Sequence, residues 1–68
     1  MENMIYKVLG VDLTTNGGVD FAEKKFNKYL DAVEYYNSNA YPVMMLCELM
    51  DGEWKTTGKM INGVFVGL

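Results

Sequence analysis

The stretch Val43-Met44-Met45-Leu46-Cys47-Glu48-Leu49-Met50-Asp51-Gly52-Glu53-Trp54-Lys55-Thr56-Thr57-Gly58-Lys59-Met60-Ile61-Asn62-Gly63-Val64-Phe65-Val66-Gly67-Leu68 contains two hairpin dipeptides, Asp51-Gly52 and Asn62-Gly63. Type I′ turns need positive φ at both central residues, which Asn, Asp and Gly tolerate best. Taken as two-residue loops, these dipeptides set a register. Met50 meets Glu53, Leu49 meets Trp54, Glu48 meets Lys55 and Cys47 meets Thr56. Further on, Met45 meets Gly58 and Val43 meets Met60. The second turn sets Met60 against Phe65 and Gly58 against Gly67. The opposite charges of Glu48 and Lys55 support this pairing independently of the turns.

Alternation then sorts the side chains. Val43, Met45, Cys47, Leu49, Trp54, Thr56, Met60 and Phe65 share one face, with Gly58 and Gly67 forming a notch that a ring from a helix can enter. Met44, Leu46, Met50, Ile61, Val64, Val66 and Leu68 share the other, punctuated by Glu48, Lys55, Lys59, Thr57 and Glu53. A solvated sheet face is normally polar on alternate residues. The second face is mostly apolar with charges between, the composition of an interface core with a polar rim.

Upstream, Met4 to Leu13 is β-branched, aromatic and apolar on both faces, and reads as a strand with a bulge signal at Gly10. Thr14-Thr15-Asn16-Gly17-Gly18 reads as a loop. Asp20 and Glu23 have capping-box spacing. Ala22, Phe26, Tyr29, Leu30, Val33 and Tyr36 follow a helical repeat. The spacing thus predicts a helix from Asp20 to about Asn37, with Asn in the left-handed cap. Pro42 fits the first position of the next strand. The predicted architecture is α+β, in the order β-α-β-β-β. One amphipathic helix covers one face of a mainly antiparallel sheet, in a single domain spanning 1–68. The place of the first strand stays open: parallel to the strand at Val43 through a crossover, beside the last strand, or exchanged between subunits.

Composition excludes more than it identifies. The chain has 68 residues, half of them hydrophobic, with six Lys, nine acids and no His. A core of this size supplies only about 3–5 kcal/mol, so self-association is expected. The chain also lacks Arg, the usual bidentate reader of phosphate and guanine, so nucleic acid is not an expected partner. A catalytic constellation is not visible without His and with scattered carboxylates, so the reading is not an enzyme. Asp12, Asn16 and Asp20 lack metal-loop spacing, and Gly17-Gly18 lacks phosphate-loop spacing. No cofactor or metal is therefore expected. Cys47 reads as a small buried hydrophobe. There is no charged segment followed by a long apolar run, so the expected setting is cytoplasmic, away from membranes.

The run from Tyr35 to Trp54 (Tyr-Tyr-Asn-Ser-Asn-Ala-Tyr-Pro-Val-Met-Met-Leu-Cys-Glu-Leu-Met-Asp-Gly-Glu-Trp) resembles small proteins encoded by bacteriophages and other mobile elements. Some proteins of that size and shape inhibit host defence, anti-CRISPR proteins among them. The resemblance implies a small inhibitor acting on a host protein and transfers no site residues. The resulting expectation is a non-enzymatic protein-binding domain, a homodimer through its open sheet face or an edge strand. Its contact residues would be Met44, Leu46, Glu48, Met50, Lys55, Ile61, Val64 and Val66 on the sheet. An acidic helix surface of Glu23, Asp31 and Glu34 would meet a basic target. The alternatives are a small-ligand binder using the helix–sheet notch and an acidic DNA mimic.

Overall fold

The computed structural model describes residues 4–13 and 17–67. The first three loop positions at 14–16 and the strand end at Leu68 lie outside the described residues. The chain runs β1 (Tyr6–Leu13), β2 (Val19–Phe26), α1 (Tyr29–Tyr36), β3 (Val43–Met50), β4 (Glu53–Ile61) and β5 (Val64–Phe65). The strands form one sheet in the order β2-β1-β3-β4-β5, and every neighbouring pair is antiparallel. One helix packed against this five-stranded sheet makes the fold α+β.

Both turn dipeptides form. Asp51 and Gly52 have φ of 50° and 80°, and Asn62 and Gly63 have 52° and 80°, the positive pair that a type I′ turn requires. Around them the register is as expected: Met50 meets Glu53, Glu48 meets Lys55, and Met60 meets Phe65.

Between the turns the register slips. Cys47 pairs with Thr56 but Leu46 pairs with Gly58, so Thr57 has no opposite residue. This is a β-bulge, with two residues on one strand opposing one on the other. The Thr57 hydroxyl donates to the Leu46 carbonyl at 3.3 Å across it. Beyond the bulge Met44 meets Met60 and Val43 meets Ile61, one residue away from the expected pairing. Gly10, by contrast, sits in unbroken ladders on both sides. Its missing side chain serves packing instead: a Cβ there would collide with the ring of Tyr41.

The segment 19–26 is a strand and not the first half of a helix. Asp20 therefore caps nothing; it lies opposite Asp12 in the β1–β2 hairpin. The helix starts at Tyr29, after Lys28, which provides no side-chain cap. Eight residues make a marginal helix in isolation, so packing must hold it. Its buried residues are Ala32 and Tyr36, flanked by the half-buried Val33, an i, i+1, i+4 set. Leu30, expected on the buried stripe, is 78 % exposed. At the helix end the Ser38 hydroxyl donates to the Tyr35 carbonyl at 2.6 Å, and the left-handed residue is Asn39, with φ 57°.

Because β1 is antiparallel to both β2 and β3, those two run parallel with β1 between them. The β2–α1–β3 connection is thus a crossover that skips one strand. Connections of that class have an almost invariant hand, which dictates the face on which the helix lands. It lands on the face of Tyr6, Val8 and Gly10. The core is Val8, Ala32, Tyr36, Met44 and Leu46, ringed by Tyr6, Phe26, Val33, Tyr35, Tyr41 and Met60. Met44 and Leu46, expected on the open face, are 1 % and 6 % exposed. The two faces are therefore interchanged along β3 and the first half of β4 relative to expectation, whereas beyond the bulge Met60 keeps the helix side and Ile61 and Val64 the open side. Gly58 receives the helix ring, the Tyr36 hydroxyl lying 2.9 Å from where its Cβ would stand, whereas Gly67, expected beside it, lies beyond β5 with nothing within 4 Å of where its own Cβ would be.

Candidate functional site

Both faces of β3 are apolar, and the helix covers only one. The other is built from alternate residues of every strand. Lys7, Leu9, Val11 and Leu13 come from β1, and Val19, Phe21, Glu23 and Lys25 from β2. Val43, Met45, Cys47 and Leu49 come from β3, facing Ile61, Lys59, Thr56 and Trp54 of β4; Val64 of β5 lies beside Ile61. No helix or other described element lies across this face. Leu13 is 75 %, Phe21 57 % and Val64 63 % exposed. Four full-length strands at about 4.8 Å spacing and roughly 26 Å length give a face of about 500 Å². Lys7, Glu23, Lys25, Lys59 and Thr56 share that outline with the apolar side chains.

One end of this face is preorganised. Lys7 Nζ lies 4.5 Å from the centroid of the Trp54 ring and 3.8 Å from a carboxylate oxygen of Glu23. The lysine stem thus packs across the sheet while its charge is met on two sides, by the ring face and by the carboxylate. Beneath it Cys47 is buried, its Sγ 3.7 Å from the Thr56 hydroxyl. Lys25 and Lys59 stand at opposite margins, with no ion-pair partner among the described residues. Three lysines against one glutamate make this face cationic on a chain of net charge −3.

The expected contact residues are dispersed by this arrangement. Met44 and Leu46 lie under the helix. Ile61 and Val64 stay on the open face, and Val66 is exposed just beyond β5, its amide donating to the Lys59 carbonyl. Glu48, Met50 and Lys55 fall on the helix side by alternation with Leu46, and Lys55 lies 4.0 Å from Glu53. Glu23 is not on the helix at all; it holds Lys7 on the open face. Exposed Phe21, Leu13 and Val19 and half-buried Trp54 belong to the open face, and sequence reasoning missed all four, having set Trp54 on the helix-covered side. The signal for the first three was the Asn/Gly-containing stretch between Leu13 and Val19, which serves a hairpin loop as readily as a helix entry and so allows 19–26 to pair with β1.

On the helix side, Asp31 and Glu34 remain exposed. With Lys24, Phe26, Tyr35 and Ser38 they line an open groove of about 330 Å³. Lys24 Nζ lies 4.9 Å over the Tyr35 ring within it. Among the described residues no three metal-ligating side chains gather, and no helix is long and apolar enough to cross a membrane. Comparison with protein-family models, curated proteins and solved structures gave no match.

Proposed function

We propose that this chain is a small non-enzymatic protein-binding domain that acts by occupying the surface of a macromolecular partner. This is the manner of the phage-encoded inhibitors of host defence that its 35–54 run resembles, and the reading places it in the bacterial cytoplasm. The observation that carries the proposal is the uncovered sheet face, where exposed Phe21, Leu13 and Val64 lie toward one end and the Lys7–Trp54 contact orders the other. Exposed aromatic and aliphatic side chains grouped in this way are the anchors that carry binding energy at protein interfaces.

The charges choose the partner. Lys25 and Lys59 have no ion-pair partner among the described residues and lie at the margins of the face, so its complement is an apolar protein surface bordered by carboxylates. A second copy docked face to face would set lysines against lysines. A photo-crosslinking residue at Phe21 or Val64, introduced in the producing cell, tests this. A discrete protein adduct from both positions, absent at Leu30 on the helix and lost when Lys25→Glu and Lys59→Glu are combined, is the expected result. Equal labelling from Leu30, or none from the sheet positions, overturns it.

The alternative, a small-ligand binder, has the groove between β2 and α1 in its favour. That groove is open and already occupied in part by the Lys24 side chain, so it is the weaker of the two sites.

A further inference from the structure

The two edges of the sheet differ. On one side, β5 pairs only with Met60 and Ile61 of β4, and the rest of that edge carries the Thr57 bulge and the Lys55–Glu53 pair. Bulges and charges of this kind blunt an edge against further strands. On the other side, β2 is eight residues long, regular in register throughout and last in the sheet. Among the described residues it has no proline, no bulge and no strand beside it, and its four charges (Asp20, Glu23, Lys24 and Lys25) are of both signs. Backbone groups on its outer side have no strand neighbour.

The charges of β2 are arranged about its own middle. Asp20 and Lys24 stand at equal distances from Ala22. When two copies of β2 pair antiparallel about a two-fold axis normal to the sheet, residues on the same face oppose one another. Centred on Ala22, that pairing sets Asp20 of each chain opposite Lys24 of the other, twice over. Centred on Glu23, it confronts the two glutamates at the axis; centred on Asp20, it confronts the two aspartates. Like charges directly opposite are unfavourable and unlike charges favourable, so the register on Ala22 is selected.

The monomer also leaves a charge conflict that this register relieves. Asp20 lies directly opposite Asp12 within the hairpin, and neither has an ion-pair partner among the described residues. Lys24 of a second copy arrives beside that carboxylate pair.

We infer that two copies of this chain join through β2, centred on Ala22, into one continuous ten-stranded antiparallel sheet. Both helices lie on one side of it and both open faces on the other. The combined open face covers about 1,000 Å² in outline, twice the single footprint. The inference does not depend on what that face binds, since a face can engage its partner from a monomer or from a dimer.

The test is solution mass from micromolar to millimolar protein, with a charge swap. Wild type forms a dimer. Asp20→Lys alone and Lys24→Asp alone each weaken it by at least about tenfold, because two attractive pairs become two repulsive ones. The double variant Asp20→Lys with Lys24→Asp restores it. As an independent check, Ala22→Cys brings two thiols together at the axis, where opposed Cα atoms are about 4.5–5.5 Å apart, within disulfide range. Mild oxidation should then give a covalent dimer. Wild type, whose Cys47 is buried, should give none. A wild-type monomer at millimolar concentration overturns the inference. So does a dimer that ignores the swap and leaves Ala22→Cys uncrosslinked, which assigns association to another surface.

Discussion

Tyr36 shows how one side chain closes this core. Its ring and hydroxyl occupy the space left by Gly58, whose own Cβ would come within 2.9 Å of the phenol oxygen and 3.6 Å of Leu46 Cβ. The hydroxyl has no hydrogen-bond partner among the described residues. Packing against the glycine is therefore gained at the expense of an unsatisfied polar atom. Gly58→Ala should destabilise by about 1–3 kcal/mol, the usual cost of overpacking. Tyr36→Phe removes the orphan hydroxyl and should be neutral or stabilising by up to about 1 kcal/mol. In the double variant most of the Gly58→Ala cost should disappear, because the atom it strikes is gone; additive costs in a denaturant cycle would refute the contact.

The same hydroxyl gives an alkaline signature. Burial pushes the Tyr36 phenol above its ordinary value of 10.0, because the phenolate is poorly solvated in the core. A raised folded-state value means that the folded state holds the proton more tightly. The corresponding stability is full below about pH 10 and falls as pH rises from there through the folded value. Relative to wild type, Tyr36→Phe should lose stability less steeply above pH 10. Parallel slopes for the two proteins would show that the phenol does not titrate within the fold.

At the scale of elements, the β2–α1 segment tests which side chains hold the helix. Ala32 is fully buried, so Ala32→Glu should cost about 3 kcal/mol or more by forcing a carboxylate into the core. Leu30→Glu, at an exposed position, should stay within about 0.5 kcal/mol of wild type. The reverse ranking in thermal unfolding would restore the longer helix starting at Asp20. That longer helix is what spacing alone suggests, and the reason it fails is instructive. Ala22, Phe26 and Tyr29 satisfy a helical repeat, yet Ala22 and Phe26 reach the core side equally well as alternate residues of a strand. Over 19–26 the two periods coincide at the positions that matter, and tertiary pairing with β1 chooses between them. The C-terminal hairpins were legible because Asp-Gly and Asn-Gly require a particular backbone. The bulge at Thr57 was not, since nothing about Thr-Thr-Gly distinguishes a bulged residue from a paired one. The helix-covered face was equally hidden. Val43, Met45 and Leu49 on one side of β3 match Met44, Leu46 and Met50 on the other, so hydrophobicity alone cannot say which side the helix takes. The hand of the β2–α1–β3 crossover chooses, and that crossover is invisible until β2 is known to be a strand. The existence of an apolar open face was legible; which residues compose it was not.

For the whole molecule, the one-sided coverage has a consequence that does not require a known partner. A sheet whose open face holds exposed Phe21, Leu13, Val19 and Val64 should bind a hydrophobic fluorescent dye in its native state, whereas well-covered domains bind such dyes mainly when their packing loosens. Phe21→Lys with Val64→Lys should abolish most of that signal and leave the thermal transition intact, because both side chains are already exposed in the fold. The concentration dependence separates the two ways in which copies can meet. Joining through β2 leaves both open faces on one side of a larger sheet, so dye bound per chain stays constant as dimer forms. Stacking face to face buries the same residues, so dye bound per chain falls with dimerisation. Constant dye uptake across a rise in solution mass supports a molecule that uses its edge to build itself and its face to bind something else. Falling uptake would mean that the face serves only self-association, and would remove it from consideration as a surface for another protein.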